Sequence, residues 1–239
     1  SFPTVKDDRV KKPFAAFKQV NLIRNGAANF ITGEIINSDD IPVNIALKAV
    51  VHFQQNDTTR DYYPSTSFLY NLSPKAGSYF QIELDNTQVL DSLKILSVEL
   101  FAETDVSERG YIHGGTPGYA VLPINNNEVN IQTNYYNELT TEINIPAILI
   151  AEKDANGTIW QSKLAVCKKA VRSGLNVSYS ETFQKIQNKA GLMKQVPVTV
   201  FINGQLRSIL PLEKDETANT HNGIAVLPHC FMSQEIYLQ

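Results

Sequence analysis

Residues 45–53 read IALKAVVHF, and every second position of this stretch is apolar. A two-residue period of apolar side chains is typical of a β-strand with one face in a core. Residues 96–100 (LSVEL) and 196–202 (VPVTVFI) repeat the alternation. Helix signals are few, and for residues 180–191 a strand followed by a turn is favoured over a short capped helix. The pattern therefore predicts an all-β chain.

Turn residues separate the predicted strands. Asn203-Gly204 follows the run 196–202, and a two-residue Asn-Gly loop supplies the positive φ angles of a type I′ hairpin turn. Pro197 cannot donate to a ladder, so it is predicted at a strand start or on an edge strand. Residues 154–157 (DANG) read as a second hairpin turn. They also resemble the start of a calcium loop, but Ala165 stands where such a loop needs a bidentate glutamate.

The composition limits the classes of protein to which the chain can belong. Of its 239 residues, 43% are hydrophobic and 19% are charged, with a net charge of -3, which indicates a sizeable folded core. The longest apolar stretch, residues 145–151, is far shorter than the roughly 20 residues that cross a bilayer, so no membrane span is expected. The weak negative charge argues against nucleic-acid binding, except through residues 1–18. That basic segment is predicted to be a flexible N-terminal arm.

Internal similarity predicts the domain organisation. Residues 118–123 (GYAVLP) recur 105 positions later as residues 223–228 (GIAVLP), and residues 128–132 (EVNIQ) resemble the last five residues (EIYLQ). Units of about 100 residues built from many short strands are typical of β-sandwiches. We therefore predict two tandem antiparallel β-sandwich (immunoglobulin-like) domains, at residues 19–127 and 128–239. The last five residues are predicted to complete a sheet.

Two segments of the first predicted unit resemble a known family. Residues 33–38 (GEIINS) precede an alternating strand, and residues 72–80 (LSPKAGSYF) follow it. This order resembles the FxLYD-type immunoglobulin-like modules of bacterial surface proteins, which read roughly G-x-V-x-N-S, strand, L-x-P-G-x-x-x-x-F. Lys75 and Ala76 separate the proline from the glycine here, and the motif that names the family is absent. The resemblance implies an accessory or adhesive module, extracellular or at a cell surface, rather than an enzyme.

No sequence motif points to catalysis, a cofactor or a metal centre, so none is predicted. His113 and His221 each lie in a Gly-rich loop before a G-x-A-V-L-P segment, and such loops on a rigid scaffold are candidate binding sites. Tyr135 and Tyr136 are candidate partner contacts, or they cap the junction between the two domains. Whether Cys167 and Cys230 form a disulfide is left open.

These features favour a non-enzymatic binding or assembly module that presents loops and sheet edges to a protein partner or to further copies of itself. An alternative is a structural subunit of a virion, an appendage or another large assembly, in which a basic arm becomes ordered. A third is a carbohydrate-binding β-sandwich, which predicts an exposed aromatic platform. Trp160, the only tryptophan, is instead expected to pack near its hairpin.

Overall fold

The computed structural model describes residues 12–25, 28–54, 58–67, 69–84, 95–107, 119–137, 140–142, 147–166, 170–211 and 223–227. Throughout these ranges the regular structure is β-strand, which confirms the all-β prediction. The strands are β1 (Ala15–Asn25), β2 (Ala28–Asn37), β3 (Val43–Phe53), β4 (Thr59–Tyr62), β5 (Thr66–Ser67), β6 (Gly77–Leu84), β7 (Ile95–Val106), β8 (Tyr119–Pro123), β9 (Glu128–Tyr136), β10 (Ala147–Lys153), β11 (Ile159–Val166), β12 (Asn176–Gln184), β13 (Met193–Lys194), β14 (Val198–Ile202), β15 (Gln205–Arg207) and β16 (Ile224–Leu227). The described residues contain no helix that is long and apolar enough to span a membrane.

The strands form four sheets. Sheet I has the order β13-β1-β2-β6-β5, and sheet II has the order β15-β14-β7-β3-β4. Sheet III has the order β11-β10-β16, and sheet IV has the order β12-β9-β8. The pairing of β14 with β7 is parallel, whereas the other described pairings are antiparallel.

Sheets I and II pack face to face around the larger core. Phe17 and Phe80 of sheet I meet edge to face, with ring centroids 6.0 Å apart, and Phe53 and Leu100 of sheet II lie in the same cluster. All four side chains are fully buried. Alternation thus places one face of each strand in this core, as the pattern of residues 45–53 predicts.

A bulge in β1 lets this strand serve two interfaces. The register with β2 shifts between Phe17 and Gln19, so the inward side changes from odd to even positions. Phe17 and Leu22 therefore both face the larger core. Gln19 is turned to the opposite face of sheet I, where its Oε1 accepts a bond from the N–H of Ile159 at 3.0 Å.

Sheet III is covered on both faces. Ile148 and Ile150 of β10 pack towards sheet IV, with Phe183, whereas Leu149 and Ala151 pack towards Tyr79 of sheet I. Every residue of β10 is buried as a result. A strand buried on both sides reads as a continuous apolar run rather than an alternating one, which explains the composition of residues 145–151.

The strand pairing does not confirm the repeat of 105 residues. Residues 119–123 form β8, which pairs with β9 in sheet IV, whereas residues 224–227 form β16, which pairs with β10 in sheet III. β14 lies beside β7, although the predicted boundary at residue 127 separates them. β1 also begins at Ala15, within the predicted arm. The division at residues 19–127 and 128–239 stays a prediction.

A different internal correspondence is present in the structure. β2 lies between β1 and β6 as β9 lies between β8 and β12, and β3 lies between β4 and β7 as β10 lies between β11 and β16. Asn37 is the last residue of β2, and Asn137, 100 positions later, directly follows the matching β9; both are fully buried. The Nδ2 of Asn37 donates to the carbonyls of Ile41 and Leu72, and that of Asn137 donates to the carbonyls of Thr141 and Val171.

The predicted turns are present. Asn203 and Gly204 have φ angles of 51° and 73°, which a type I′ turn between β14 and β15 requires. Pro197 directly precedes β14, and its carbonyl accepts a bond from Val98. Residues 180–184 continue β12 and are followed by irregular chain rather than a helix.

Candidate functional site

Several sequence-predicted residues lie outside the described part of the chain. They are His113, His221, Cys167, Cys230, residues 1–11 of the arm and the last five residues. Tyr135 and Tyr136 end β9 on sheet IV, and Tyr136 is exposed. These positions and the histidines stay predictions.

Polar side chains of strand β3 and of the turn at residues 154–157 have structural partners. His52 of β3 is half-buried, and its Nε2 lies 2.8 Å from Glu99 Oε2. Asp154 Oδ1 accepts bonds from the N–H groups of Asn156 and Thr158, and its Oδ2 accepts one from Trp160. Trp160 therefore packs at its hairpin as expected. No group of His, Cys, Asp and Glu within the described ranges could hold a metal ion.

Strand β12 is an open sheet edge. All nine of its residues pair with β9, and no described strand pairs with its other side. β12 contains no proline or lysine, the residues that commonly block such edges. Its one charged residue, Glu181, is already paired with Lys163 of β11. Only the last carbonyl, that of Gln184, is taken, by the side chain of Gln161.

The edge of the neighbouring sheet is closed by contrast. β11 is the edge of sheet III, and side chains of sheet I form hydrogen bonds with three of its main-chain groups. Gln19 accepts from the N–H of Ile159, and Thr32 Oγ1 donates to the carbonyl of Ile159 at 2.6 Å. Gln81 Oε1 accepts from the N–H of Ser162 at 2.9 Å. Within the part of the chain that the structure describes, side chains thus cover the edge at β11, whereas no strand covers the edge at β12.

The outer face of sheet IV carries polar side chains on β9 and β12. Its β9 and β12 side chains bond across the strands, Ser178 to Asn134 at 2.6 Å and Asn130 to Ser180 at 3.0 Å. At one end of the ladder, hydrogen bonds from Gln184 and then Asn125 lower the pKa of the Glu128 carboxyl. A cavity of about 550 Å³ opens there, and Glu128 is the one carboxylate among its described lining residues. It therefore lacks the carboxylate pair that glycoside hydrolysis uses.

A second concave surface lies on sheet II. We call it the tyrosine groove: a cavity of about 600 Å³ whose lining includes Lys48, Tyr63, Tyr70, Phe101 and Glu103. The chain crosses from β4 in sheet II to β5 in sheet I here, and this crossing segment forms one wall. Strands β3 and β7 supply the floor.

Sequence reasoning did not find the tyrosine groove. Tyr63 and Tyr70 stand in irregular chain, and Phe101 and Glu103 stand on an alternating strand some 30 residues further on. No motif or spacing connects them. The available signal was the position of two tyrosines beside turn residues, Pro64 and Asn71, which favours exposure over burial.

Comparisons with known proteins do not assign the chain to a family. No family model matches it, and no curated protein matches it. Among solved structures it is similar to Bacteroides uniformis β-glucuronidase 2 covalently bound to cyclophellitol-6-carboxylate aziridine, with 10% identity over 67% of this chain and 22% of that chain, at a TM-score of 0.23. It is also similar to red sea bream transglutaminase, with 11% identity over 75% of this chain and 28% of that chain, at a TM-score of 0.22. The chain spans about a quarter of the length of these structures, and scores this low support no conclusion about function.

Proposed function

We propose that this chain is a non-enzymatic binding module that accepts an extended segment of a protein partner along β12. The open edge of sheet IV is the observation that carries this proposal. The outer side of this nine-residue edge strand, which pairs with no described strand, presents N–H and C=O groups to which another chain can add a strand. The polar face beside it provides alternate side-chain positions for selectivity.

The surroundings of β12 support the same function. A long edge strand without a bulge, proline or lysine is an aggregation hazard in a protein that leaves it unused. This chain does cover the edge at β11, with Gln19, Thr32 and Gln81. We propose a location outside the cell or at its surface, as the resemblance to FxLYD-type surface modules implies.

The proposal is tested with charges on the edge. Nonapeptides are selected from a display library on the purified chain, and their Kd values are measured by fluorescence anisotropy. The double variant Ser178→Lys/Ser180→Lys is expected to bind them at least about tenfold more weakly, because lysine blocks strand addition at an edge. Gln132→Lys/Asn134→Lys places the same two charges one strand further in and is the matched control. Failure to select any peptide, or equal binding by the double variant, contradicts the proposal.

The structural-subunit alternative uses the same edge with a second copy as partner. Sedimentation velocity over a concentration series separates the two functions. A module for a different protein stays monomeric, whereas an assembly subunit forms dimers or larger species that the double variant loses.

A further inference from the structure

We propose that the tyrosine groove binds a neutral oligosaccharide. The groove lies on sheet II, distant in the fold from the β12 edge, so this inference is independent of the function proposed above. Its cavity of about 600 Å³ falls within the range of small-ligand sites and has room for about two sugar rings.

The tyrosine groove presents exposed aromatic side chains. Tyr63 and Tyr70 are 65% and 51% exposed, and no described residue bonds either hydroxyl. Phe101 stacks on Phe201 of the adjacent strand, with centroids 4.9 Å apart and ring planes at 7°. The groove therefore combines apolar ring surface with two free hydroxyl groups. A sugar matches this combination, because its C–H faces pack on rings and its hydroxyls exchange hydrogen bonds with polar tips.

The charges at the groove indicate an uncharged ligand. Lys48 Nζ lies 3.2 Å from Asp61, and Glu103 lies 2.6 Å from Lys12, so each charged lining residue already has an opposite partner. The four charges sum to zero, and an anionic or cationic ligand finds no counter-charge. Both pairs are solvent-exposed, so little free energy is lost when a ligand hydroxyl bonds one partner instead.

The chemistry favours a sugar over a proline-rich peptide, the other common ligand of aromatic grooves. The carbonyls of a polyproline ligand accept from the hydroxyls of Tyr63 and Tyr70, but its prolines have no N–H group to donate to them. A sugar supplies several donors and acceptors on each ring.

The test uses an array of neutral di- to tetrasaccharides of glucose, galactose, mannose and xylose, with sialylated and sulfated glycans and a proline-rich peptide on the same array, followed by saturation-transfer NMR on the hits. The full chain is expected to bind one of these glycans, and Tyr63→Ala and Tyr70→Ala are each expected to weaken binding at least tenfold. Tyr63→Phe keeps the ring and is expected to lose only a few-fold. Tyr136→Ala removes an exposed tyrosine from sheet IV and is the matched control, with unchanged binding.

Four results overturn the proposal. They are no binding of any neutral glycan at about 10 mM, a preference for sialylated or sulfated glycans, binding that survives both alanine variants, and binding of a proline-rich peptide that the same variants abolish. Because Tyr63 and Tyr70 are exposed, their variants are expected to have the wild-type midpoint of thermal unfolding. That midpoint is measured for each variant alongside the binding.

Discussion

At the scale of single residues, two buried asparagines hold corresponding turns. Asn37 and Asn137 each lie at the end of a central strand and donate to carbonyls four residues ahead and in a distant loop. The carbonyl of Asn37 accepts from Lys75, and that of Asn137 accepts from Gly174. Lys75 and Gly174 both have positive φ angles, 63° and 71°. A buried amide that bonds in this way joins segments that would otherwise have unsatisfied carbonyls.

Replacement of either asparagine by alanine is expected to lower the free energy of unfolding by about 2–4 kcal/mol, because buried carbonyls lose their donors. Urea denaturation followed by circular dichroism measures the change. Asn134→Ala is the control, since this exposed residue bonds only Ser178 on the surface, and it is expected to cost less than about 0.5 kcal/mol. If Asn37→Ala lowers the free energy of unfolding as expected but Asn137→Ala changes it as little as Asn134→Ala, the two turns are not energetically equivalent.

At the scale of elements, the β14–β15 hairpin is fastened by its own turn residue. Asn203 Oδ1 accepts from the N–H of Thr104 at 2.9 Å, and its Nδ2 donates to Thr104 Oγ1 at 2.9 Å and to the carbonyl of Pro13 at 3.2 Å. One side chain thus ties the hairpin both to β7 and to the chain that precedes β1. The same residue supplies the positive φ angle that the turn needs.

Two substitutions separate these roles of Asn203. Asn203→Gly keeps the backbone conformation and loses the side-chain bonds, so a loss of about 1–3 kcal/mol is expected. Asn203→Ala loses the same bonds but keeps a Cβ in the left-handed region, which alanine tolerates less well than asparagine, so it is expected to cost about 1 kcal/mol more than the glycine variant. Thermal unfolding ranks the two variants, with Gln205→Ala at the exposed start of β15 as control. Equal midpoints for the glycine and alanine variants would show that backbone strain is not part of the effect.

At the scale of the whole molecule, a polar junction joins sheet I to sheet III. Glu34 of sheet I and Lys153 of sheet III are nearly buried, with 3.9 Å between Oε2 and Nζ. Lys153 Nζ also lies 5.2 Å from the ring centroid of Tyr79. Trp160 packs in the same region with Ile23 and Ile186, so its fluorescence reports on the junction.

Glu34→Ala is expected to destabilise the junction by about 3–5 kcal/mol, because it leaves Lys153 buried without a counter-charge. In a urea titration of Glu34→Ala, the fluorescence of Trp160 is expected to change at a lower urea concentration than the circular dichroism. In the wild type the two transitions are expected to coincide. The double variant Glu34→Leu/Lys153→Met removes both charges and is expected to restore most of the stability. If the fluorescence and circular dichroism transitions of Glu34→Ala coincide, this pair does not hold sheets I and III together.

The parts of the fold that depend on short stretches of chain could be predicted. Alternation in residues 45–53 and the Asn203-Gly204 turn place strands and hairpins correctly, because side-chain period and backbone φ are local properties. From the sequence, exposed sheet edges could be predicted in general, but not which strand forms one. Whether β11 or β12 is open depends on Gln19, Thr32 and Gln81, which lie 80 to 140 positions from the groups they bond.

The sequence by itself determined that this protein is all-β, where its hairpins turn and that its core is large. Tertiary structure alone decided which strands share a sheet, such as β14 beside β7, and which side chains meet in the tyrosine groove. Any strand with an apolar face can pair with several others at similar local energy. The choice among them is made by burial and hydrogen bonding summed over the whole chain, which no local pattern contains.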